Sequence, residues 1–229
     1  MVDHVRHSGI YNIDPYDVVT VIGCGGIGAI TAITLAKMGF MNLRLFDAES
    51  IEEENVATQF HPKIRLGQQK VLSVANAIFE HDPAVAVDYY PVQVDMDTDI
   101  GANYIVCTVD SIASRKAVWE AAKKSQGWMY YLDARMGAQV FQLYSVYYNE
   151  MGWYDQRINE VNEDDIPDLP CTEKATIYTA MGAAAFIGAT MRRVYQSEVV
   201  PRFQEMNFEI GSYAHSGINK KDSVPSLLQ

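Results

Sequence analysis

Residues 21–28, V-I-G-C-G-G-I-G, constrain the fold of this chain more than any other stretch. They follow a β-branched, apolar segment, residues 17–22, and lead into a helical pattern over residues 27–38 that Gly39 ends. Small residues at such a strand–helix turn let backbone N–H groups and the helix N-terminus approach a phosphate closely. The run therefore predicts a nucleotide site, with a tight turn that binds nothing as the alternative. The glycines concerned are Gly23, Gly25, Gly26 and Gly28.

Helices alternate with strands up to about residue 125, after which strands dominate. This order predicts an α/β, Rossmann-like fold: a mostly parallel twisted sheet with helices on both faces and an antiparallel extension. Predicted strands cover residues 17–22, 42–47, 85–94, 104–108, 129–133 and 139–147. Predicted helices cover residues 27–38, 68–79, 114–124 and 172–196.

The chain predicts one domain over residues 1–197 and a tail of uncertain structure over 198–229. Within the domain, about residues 149–171 are acidic and interrupted by prolines, so we expect a crossover loop there. Residues 175–191 form the one stretch worth testing as a membrane span. Because polar side chains interrupt it, a buried helix is the better interpretation.

Charge and cysteine content limit the partners and the compartment. The net charge of −11 disfavours nucleic acid and anionic membranes, both of which require clustered Lys and Arg. Cys24, Cys107 and Cys171 form no C-x-x-C pair, which fits a reducing compartment. Residues 1–17 are polar and lack the apolar core of a signal peptide. We therefore expect a cytoplasmic protein that uses neither nucleic acid nor a membrane.

Three residues follow predicted strands and should meet at one edge of the sheet: Gly23, Asp47 and Asp110. Asp47 lies 19 residues after Gly28, where a carboxylate can accept hydrogen bonds from ribose hydroxyls. The glycines fit the spacing G-x-G-x-x-G as well as G-x-x-G-x-G. On this evidence alone, a nicotinamide dinucleotide and ATP both remain open.

The next stretch separates the two ligands. An acid-x-acid pair after the second strand is followed by N-x-x-x-Q, then G-x-x-K, then an Asp after a central strand. With these motifs in order, residues 17–195 resemble the ThiF/MoeB/ubiquitin-activating-enzyme superfamily of adenylyltransferases. A phage- and plasmid-borne ThiF-like branch is the nearest likeness, since D-A-R-M-G and P-C-T also occur. The matching residues are Asp47, Glu49, Asn55, Gln59, Gly67, Lys70, Asp110 and Arg115.

The resemblance implies ATP and Mg²⁺ as cofactors and a carboxylate as the second substrate. The resemblance implies that the C-terminus of a ubiquitin-like protein, a sulfur carrier or a peptide is activated as an acyl-adenylate. It also implies that the enzyme is a homodimer. Lys70 would neutralise the phosphates, Asp110 would hold Mg²⁺, and Asp47, with Glu49 beside it, would bind the ribose. Asn55 and Gln59 would position the nucleotide. An NAD-dependent oxidoreductase, the alternative on the same glycine loop, gives Lys70 no role.

One position departs from the family pattern. The family's Arg in N-x-x-R-Q falls on Thr58, which cannot donate a charged fork to phosphates. Arg135, Arg6 and Arg65 are the candidate replacements, and Arg135 is preferred; the alternative for Arg135 is an ion pair with Asp133. The loss of the Arg also supports a second interpretation, a nucleotide-binding pseudoenzyme or scaffold of the same fold.

Cys171 is the candidate acceptor for a transferred acyl group. It precedes the predicted helix 172–196, and a helix N-terminus lowers the pKa of a thiol. A cysteine that only caps the helix is the alternative. Cys24 and Cys107 are interpreted as packing residues, and His61 as a solvated loop residue. The small residues of the long helix fit either core packing or a homodimer seam.

Overall fold

A computed structural model describes residues 5–160 and 175–217. Its core is one eight-stranded sheet in the order β3-β2-β1-β4-β5-β6-β7-β8. The four pairs from β3 to β5 are parallel and the three pairs from β5 to β8 are antiparallel. The predicted α/β fold with a mostly parallel sheet and an antiparallel extension is therefore confirmed.

The elements keep the predicted order, with boundaries that differ by a few residues. The strands are β1 Val18–Ile22, β2 Asn42–Phe46, β3 Ala86–Tyr90, β4 Tyr104–Cys107, β5 Tyr130–Gly137, β6 Val140–Tyr147, β7 Phe203–Asn207 and β8 Ser212–Ser216. The helices are α1 Gly26–Met38, α2 Lys70–His81, α3 Ile112–Lys124, α4 Met151–Glu160 and α5 Ile177–Tyr195. Short 3-10 turns cover Glu53–Asn55, Lys63–Arg65 and Tyr148–Glu150.

Helices cover both faces of the sheet, because the buried strands carry apolar side chains on each side. On one face, α1, α2 and α5 pack around side chains such as Leu35 and Ile187. On the other face, α3 and α4 pack through Trp119 and Tyr154 against Tyr131 of β5. Successive residues of β5 thus serve opposite layers, as the two-residue period of a strand requires.

The predicted crossover loop contains a helix. Within 149–171, residues Met151–Glu160 form α4, and residues 161–174 lie outside the described part. Tyr154 and Ile158 are four residues apart and are the buried positions of α4, so one helical face packs on the sheet. The charged and polar residues on its remaining surface obscured this short apolar repeat in the sequence.

The ends of the C-terminal elements also differ from expectation. The long helix begins at Ile177, and Thr176 is its N-cap, accepting a hydrogen bond from the Thr179 N–H. The predicted tail contributes β7 and β8, which extend the sheet by antiparallel pairing onto β6. In the described ranges, no helix is both long and apolar enough to cross a membrane.

Candidate active site at the carboxyl edge of the sheet

The glycine loop joins β1 to α1 at the carboxyl edge of the parallel strands. Gly23 has φ +89°, a left-handed conformation that favours glycine, and its N–H donates to the Phe46 carbonyl over 2.8 Å. Gly25 is the N-cap of α1, and its lack of a side chain leaves the first turn without a side-chain cap. The N–H groups of this turn are therefore oriented to bind an anion.

Gly28 has a packing role as well as its place in the loop. A Cβ atom there would lie 1.8 Å from the Gly23 carbonyl oxygen and 2.5 Å from Thr108 Oγ1. The first turn of α1 thus lies against the loop that precedes it, at a distance only glycine allows.

Thr108 follows β4 and holds the loop from the neighbouring strand. Its hydroxyl lies 2.8 Å from the Gly23 carbonyl oxygen and 3.1 Å from that of Ile22, and a hydroxyl can donate to either. This residue was not among those predicted from the sequence. The one available signal was its place at a strand end, level in the sheet with the glycine run.

Asp47 links the loop to the end of β2. Its carboxylate accepts hydrogen bonds from the N–H of Cys24 (2.6 Å) and the N–H of Glu49 (2.8 Å). Burial raises the pKa of Asp47 above its ordinary value, although these two N–H groups and Lys70 oppose the rise. Each oxygen retains a lone pair that can accept a ribose hydroxyl, so the predicted role is chemically open.

Lys70 places a buried positive charge beside this carboxylate. It is the first residue of α2, its side chain is 4% exposed, and its ammonium group lies 2.5 Å from a carboxylate oxygen of Glu49. Glu49 is 66% exposed and is held near α2 by a second bond, from the Lys70 N–H to the Glu49 carbonyl (2.9 Å). Lys70 and Glu49, predicted to serve the phosphates and the ribose side, are thus in contact with each other, with the cation buried and the anion at the surface.

The segment between β2 and α2 brings Gln59 to the glycine loop, whereas Asn55 has a local role. Asn55 Oδ1 accepts from the Glu52 N–H (2.9 Å), which caps a 3-10 turn. The amide nitrogen of Gln59 lies 3.7 Å from where a Cβ of Gly25 would stand. Gln59 Oε1 is buried without a hydrogen-bond partner among the described residues, so it can accept a bond from a ligand.

His61 is buried at the centre of the site, and the interpretation as a solvated loop residue was wrong. The residue is 2% exposed. Its Nε2 lies 2.8 Å from the carbonyl oxygen of Cys24, and its Nδ1 lies 3.1 Å from the hydroxyl oxygen of Ser73 on α2. The ring therefore connects the glycine loop to α2, a contact between segments too distant in sequence for a pattern to reveal.

Asp110 is exposed after β4, and the alternative role as helix cap belongs to its neighbour. Ser111 is the N-cap of α3 and accepts from the Ser114 N–H. No hydrogen bond or ion pair joins Asp110 to another residue of the described ranges. Those ranges also hold no group of three His, Cys, Asp or Glu side chains placed to bind a metal. A lone carboxylate still fits Mg²⁺, which takes one or two carboxylates and completes its shell with phosphates and water.

Arg135, the preferred replacement for the missing arginine, lies in a buried ion-pair network. Its guanidinium lies 2.7 Å from Asp133 Oδ2 and 4.5 Å from the ring centroid of Tyr144. Arg115 binds the other oxygen of Asp133, and the Tyr154 hydroxyl donates to Oδ2 over 2.6 Å. The ion pair with Asp133, given as the alternative for Arg135, is therefore confirmed, and its catalytic role stays a prediction.

The other two candidate arginines are placed differently. Arg65 donates to the Ser73 carbonyl (2.7 Å) and to Glu80 (2.6 Å), so its guanidinium is occupied by α2. Arg6 is exposed near the start of the described chain. Arg65 lines a pocket with Gln59 and His61, so it lies at the edge of the site, whereas no contact within the described ranges joins Arg6 to the site residues.

The Asp133 network predicts a large, pH-dependent contribution to stability. Burial alone would raise the pKa of Asp133, but Arg115 and Arg135 outweigh it and the pKa lies below its ordinary value. Asp133→Asn leaves two buried guanidinium groups without their anion, so we expect a loss of about 3–5 kcal/mol of unfolding free energy at pH 7. The loss should be full above the ordinary carboxyl pKa of about 4 and shrink as the pH falls through the lowered pKa.

Urea unfolding of the wild-type chain and the variant between pH 7 and pH 3 measures this dependence. Asp97→Asn is the matched control, because Asp97 pairs with Lys124 at the surface (2.6 Å). That control should cost less than about 1 kcal/mol. A pH-independent difference for Asp133→Asn would show that its carboxylate charge does not stabilise the fold.

The cysteines divide into two buried thiols and one outside the described residues. Cys24 and Cys107 are fully buried, and burial raises the pKa of both thiols, which makes them poor nucleophiles. Their interpretation as packing residues is confirmed. Cys171 lies outside the described residues, and the helix proposed to activate it begins six positions later, at Ile177.

Comparison with known sequences identifies relatives of this arrangement. The ThiF family profile matches residues 2–206. A Danio rerio protein, "Adenylyltransferase and sulfurtransferase MOCS3", is 28% identical over 145 residues, which cover 56% of this chain and 32% of that protein. "Ubiquitin-like modifier-activating enzyme 5" of Bombyx mori is 32% identical over 93 residues, covering 41% of this chain and 21% of that protein. The chain thus matches about a third or less of the length of these relatives.

Solved structures agree in fold at low sequence identity. "Crystal Structure of SeMet PaaA" gives a TM-score of 0.68 at 14% identity, covering 90% of this chain and 74% of that one. "Crystal structure of E. coli MccB + ATP" gives 0.67 at 16% identity, covering 90% and 65%. At this identity the likeness establishes the fold alone.

Proposed function

The chain belongs to the ThiF family, and from that premise we propose that it is an ATP-dependent adenylyltransferase. It activates the C-terminal carboxylate of a ubiquitin-like protein, a sulfur carrier or a peptide as an acyl-adenylate. The observation that carries this proposal is the buried ammonium of Lys70 beside Asp47 and an uncapped helix N-terminus. A cation, a ribose acceptor and a phosphate-binding turn at one edge suit ATP.

The relatives and the solved structures support both parts of the proposal, the adenylyl transfer from ATP and the protein or peptide substrate. MOCS3 is named an adenylyltransferase, and a second relative is named a ubiquitin-like modifier-activating enzyme. MccB has been solved with ATP and, separately, with MccA. An oxidoreductase on the same loop finds no counterpart among these names.

In the proposed reaction, the chain positions two anions and neutralises charge. The glycine loop and Lys70 bind the phosphates, and Asp47 accepts the ribose hydroxyls. A carboxylate oxygen of the partner attacks the α-phosphorus, and the bond to the bridging oxygen breaks as pyrophosphate leaves with the electron pair. Asp110 would hold Mg²⁺, which supplies charge neutralisation on the leaving phosphates.

Glu49 sets a condition on phosphate binding. Its carboxylate is paired with the ammonium group of Lys70. An incoming phosphate therefore either displaces this carboxylate or shares the ammonium group with it. Because Glu49 is largely exposed, its carboxylate can move into water at little cost. We propose that Gln59, with its unpaired oxygen beside Gly25, completes this side of the nucleotide.

The remaining features of the proposal concern later steps and assembly. Transfer of the acyl group to Cys171, with AMP leaving, would give a thioester. A homodimer would bring a further arginine to the site, and the buried, free thiols of Cys24 and Cys107 suit the cytoplasm. The second candidate function, a nucleotide-binding scaffold without turnover, is favoured by Thr58 and by the pairing of Arg135 with Asp133.

A ligand series measured by thermal unfolding tests the nucleotide class. MgATP at a hundredfold excess over its Kd should stabilise the chain by about 2.7 kcal/mol, which raises Tm by about 5–10 °C for a chain of this size. NAD at the same concentration should leave Tm unchanged, since Lys70 has no role in binding it. A shift with NAD alone would contradict the proposal. Pyrophosphate exchange that depends on a carboxylate partner then separates the enzyme from the scaffold.

A further inference from the structure

The contacts of His61 determine which of its ring nitrogens carries the proton. Nε2 lies 2.8 Å from the Cys24 carbonyl oxygen, which can only accept, so Nε2 is the donor. Burial lowers the pKa of His61, and the ring is therefore neutral at pH 7, with Nδ1 as an acceptor. The Ser73 hydroxyl, 3.1 Å away, donates to Nδ1 and holds this tautomer.

His61 contacts the second of two consecutive peptide units in the glycine loop. The first unit already has both its carbonyl and its N–H in hydrogen bonds. In the Gly23–Cys24 peptide, the carbonyl accepts from Thr108 and the N–H donates to Asp47. In the Cys24–Gly25 peptide, the carbonyl accepts from His61, whereas the Gly25 N–H has no acceptor within residues 5–160 and 175–217. Of these four backbone groups, one donor is left for a ligand.

The geometry of a trans peptide links the two ends of the Cys24–Gly25 unit. Its C=O and N–H point in opposite directions across a rigid plane, and the described chain has no cis peptide. Because His61 contacts the carbonyl oxygen, the Gly25 N–H points away from the imidazole ring, at the N-cap of α1. Rotation of this peptide would change the direction in which that donor points at the start of α1.

We propose that His61 is a positioning residue, which orients the Gly25 N–H toward a phosphate by holding the carbonyl of Cys24. This inference rests on the proposed function, since it requires a phosphate at the glycine loop. It adds a role for a residue that touches no ligand itself. Ser73 supports this role, because its hydroxyl group stabilises the His61 tautomer in which Nε2 carries the proton.

Two amide variants separate the hydrogen bond from the size of the ring. In His61→Gln the side-chain amide reaches about as far as Nε2 and can donate to Cys24, whereas in His61→Asn it reaches only as far as Nδ1. We expect His61→Asn to weaken the binding of MgATP and of tripolyphosphate about tenfold, with adenosine unaffected. His61→Gln should remain within about threefold of the wild-type chain. Calorimetry with these three ligands supplies the numbers.

The outcomes distinguish this inference from the proposed function. If the wild-type chain binds neither MgATP nor tripolyphosphate, both fail. If it binds them and His61→Asn binds equally well, or loses adenosine by the same factor, only the positioning role fails.

If the His61→Asn variant does not fold, the Ser73→Ala variant tests the positioning role of His61 through its tautomer. We expect a mixed tautomer of His61 in ¹⁵N NMR and about threefold weaker binding of tripolyphosphate. An unchanged tautomer with unchanged affinity would overturn the proposal.

Discussion

Alanine in place of Gly28 is expected to remove most or all of the stability of the folded chain. The added Cβ would stand 1.8 Å from the Gly23 carbonyl oxygen and 2.5 Å from Thr108 Oγ1, distances at which atoms overlap. Relief requires α1 to move away from β1, which separates side chains at the centre of the core. We expect a loss of more than about 4 kcal/mol in urea unfolding, or no soluble folded protein.

Gly152 offers the matched control, because it is a helical glycine with open space around its Cα. No heavy atom lies within 4 Å of where its Cβ would stand, and it lies within α4. Gly152→Ala should therefore leave stability unchanged or raise it by up to about 1 kcal/mol. A Gly28→Ala chain as stable as the wild-type chain would contradict the close approach of α1 to its loop.

Replacing Lys70 by methionine should have the largest effect on ligand binding. Methionine fills a similar buried volume, and Glu49 remains in water, so the fold should persist. The variant removes the buried cation at the site, and a charge-assisted contact of this kind contributes up to about 3 kcal/mol. We expect MgATP affinity to fall about a hundredfold, measured by calorimetry on chains with matched far-UV spectra.

Lys63→Met is the control for this change. Lys63 lies in the same segment, but it is 71% exposed and pairs with Glu53 at the surface (2.8 Å). Its loss should alter MgATP affinity by less than about twofold. Equal affinity of the wild-type and Lys70→Met chains would exclude Lys70 from the phosphate site and leave its ion pair with Glu49 as a structural contact.

The fold was predictable where local pattern and tertiary packing agree. The buried strands β1 and β4 are rich in β-branched residues, and Gly39 ends α1 in the left-handed conformation typical of such caps. By contrast, β8 is exposed along its whole length and lacks the alternation that marks a half-buried strand. Its place in the sheet comes from pairing with β7, which no local pattern encodes.

The charged residues near the glycine loop were predictable from the sequence, whereas the hydrogen bonds that hold the loop were less so. Asp47 contacts the glycine loop because the carboxyl ends of parallel strands share an edge. The segment between β2 and α2 brings Gln59 to Gly25, and the start of α2 places Lys70 near Asp47. The contacts of Thr108 and His61 could not be found in this way. Their partners in the glycine loop are backbone carbonyls, and a backbone acceptor leaves no mark on the residue type at its position.

The glycine loop is therefore a product of the whole domain. Its backbone is held by side chains 23, 37 and 85 positions away along the chain, at Asp47, His61 and Thr108. The Asp47 anchor requires β2 beside β1, the Thr108 anchor requires β4 beside β1, and His61 also contacts Ser73 of α2. The complete shape of the loop therefore depends on tertiary structure that its own residues do not supply. A fragment that carries only the glycine signature would lack its shape, and the signature cannot be transplanted as a module.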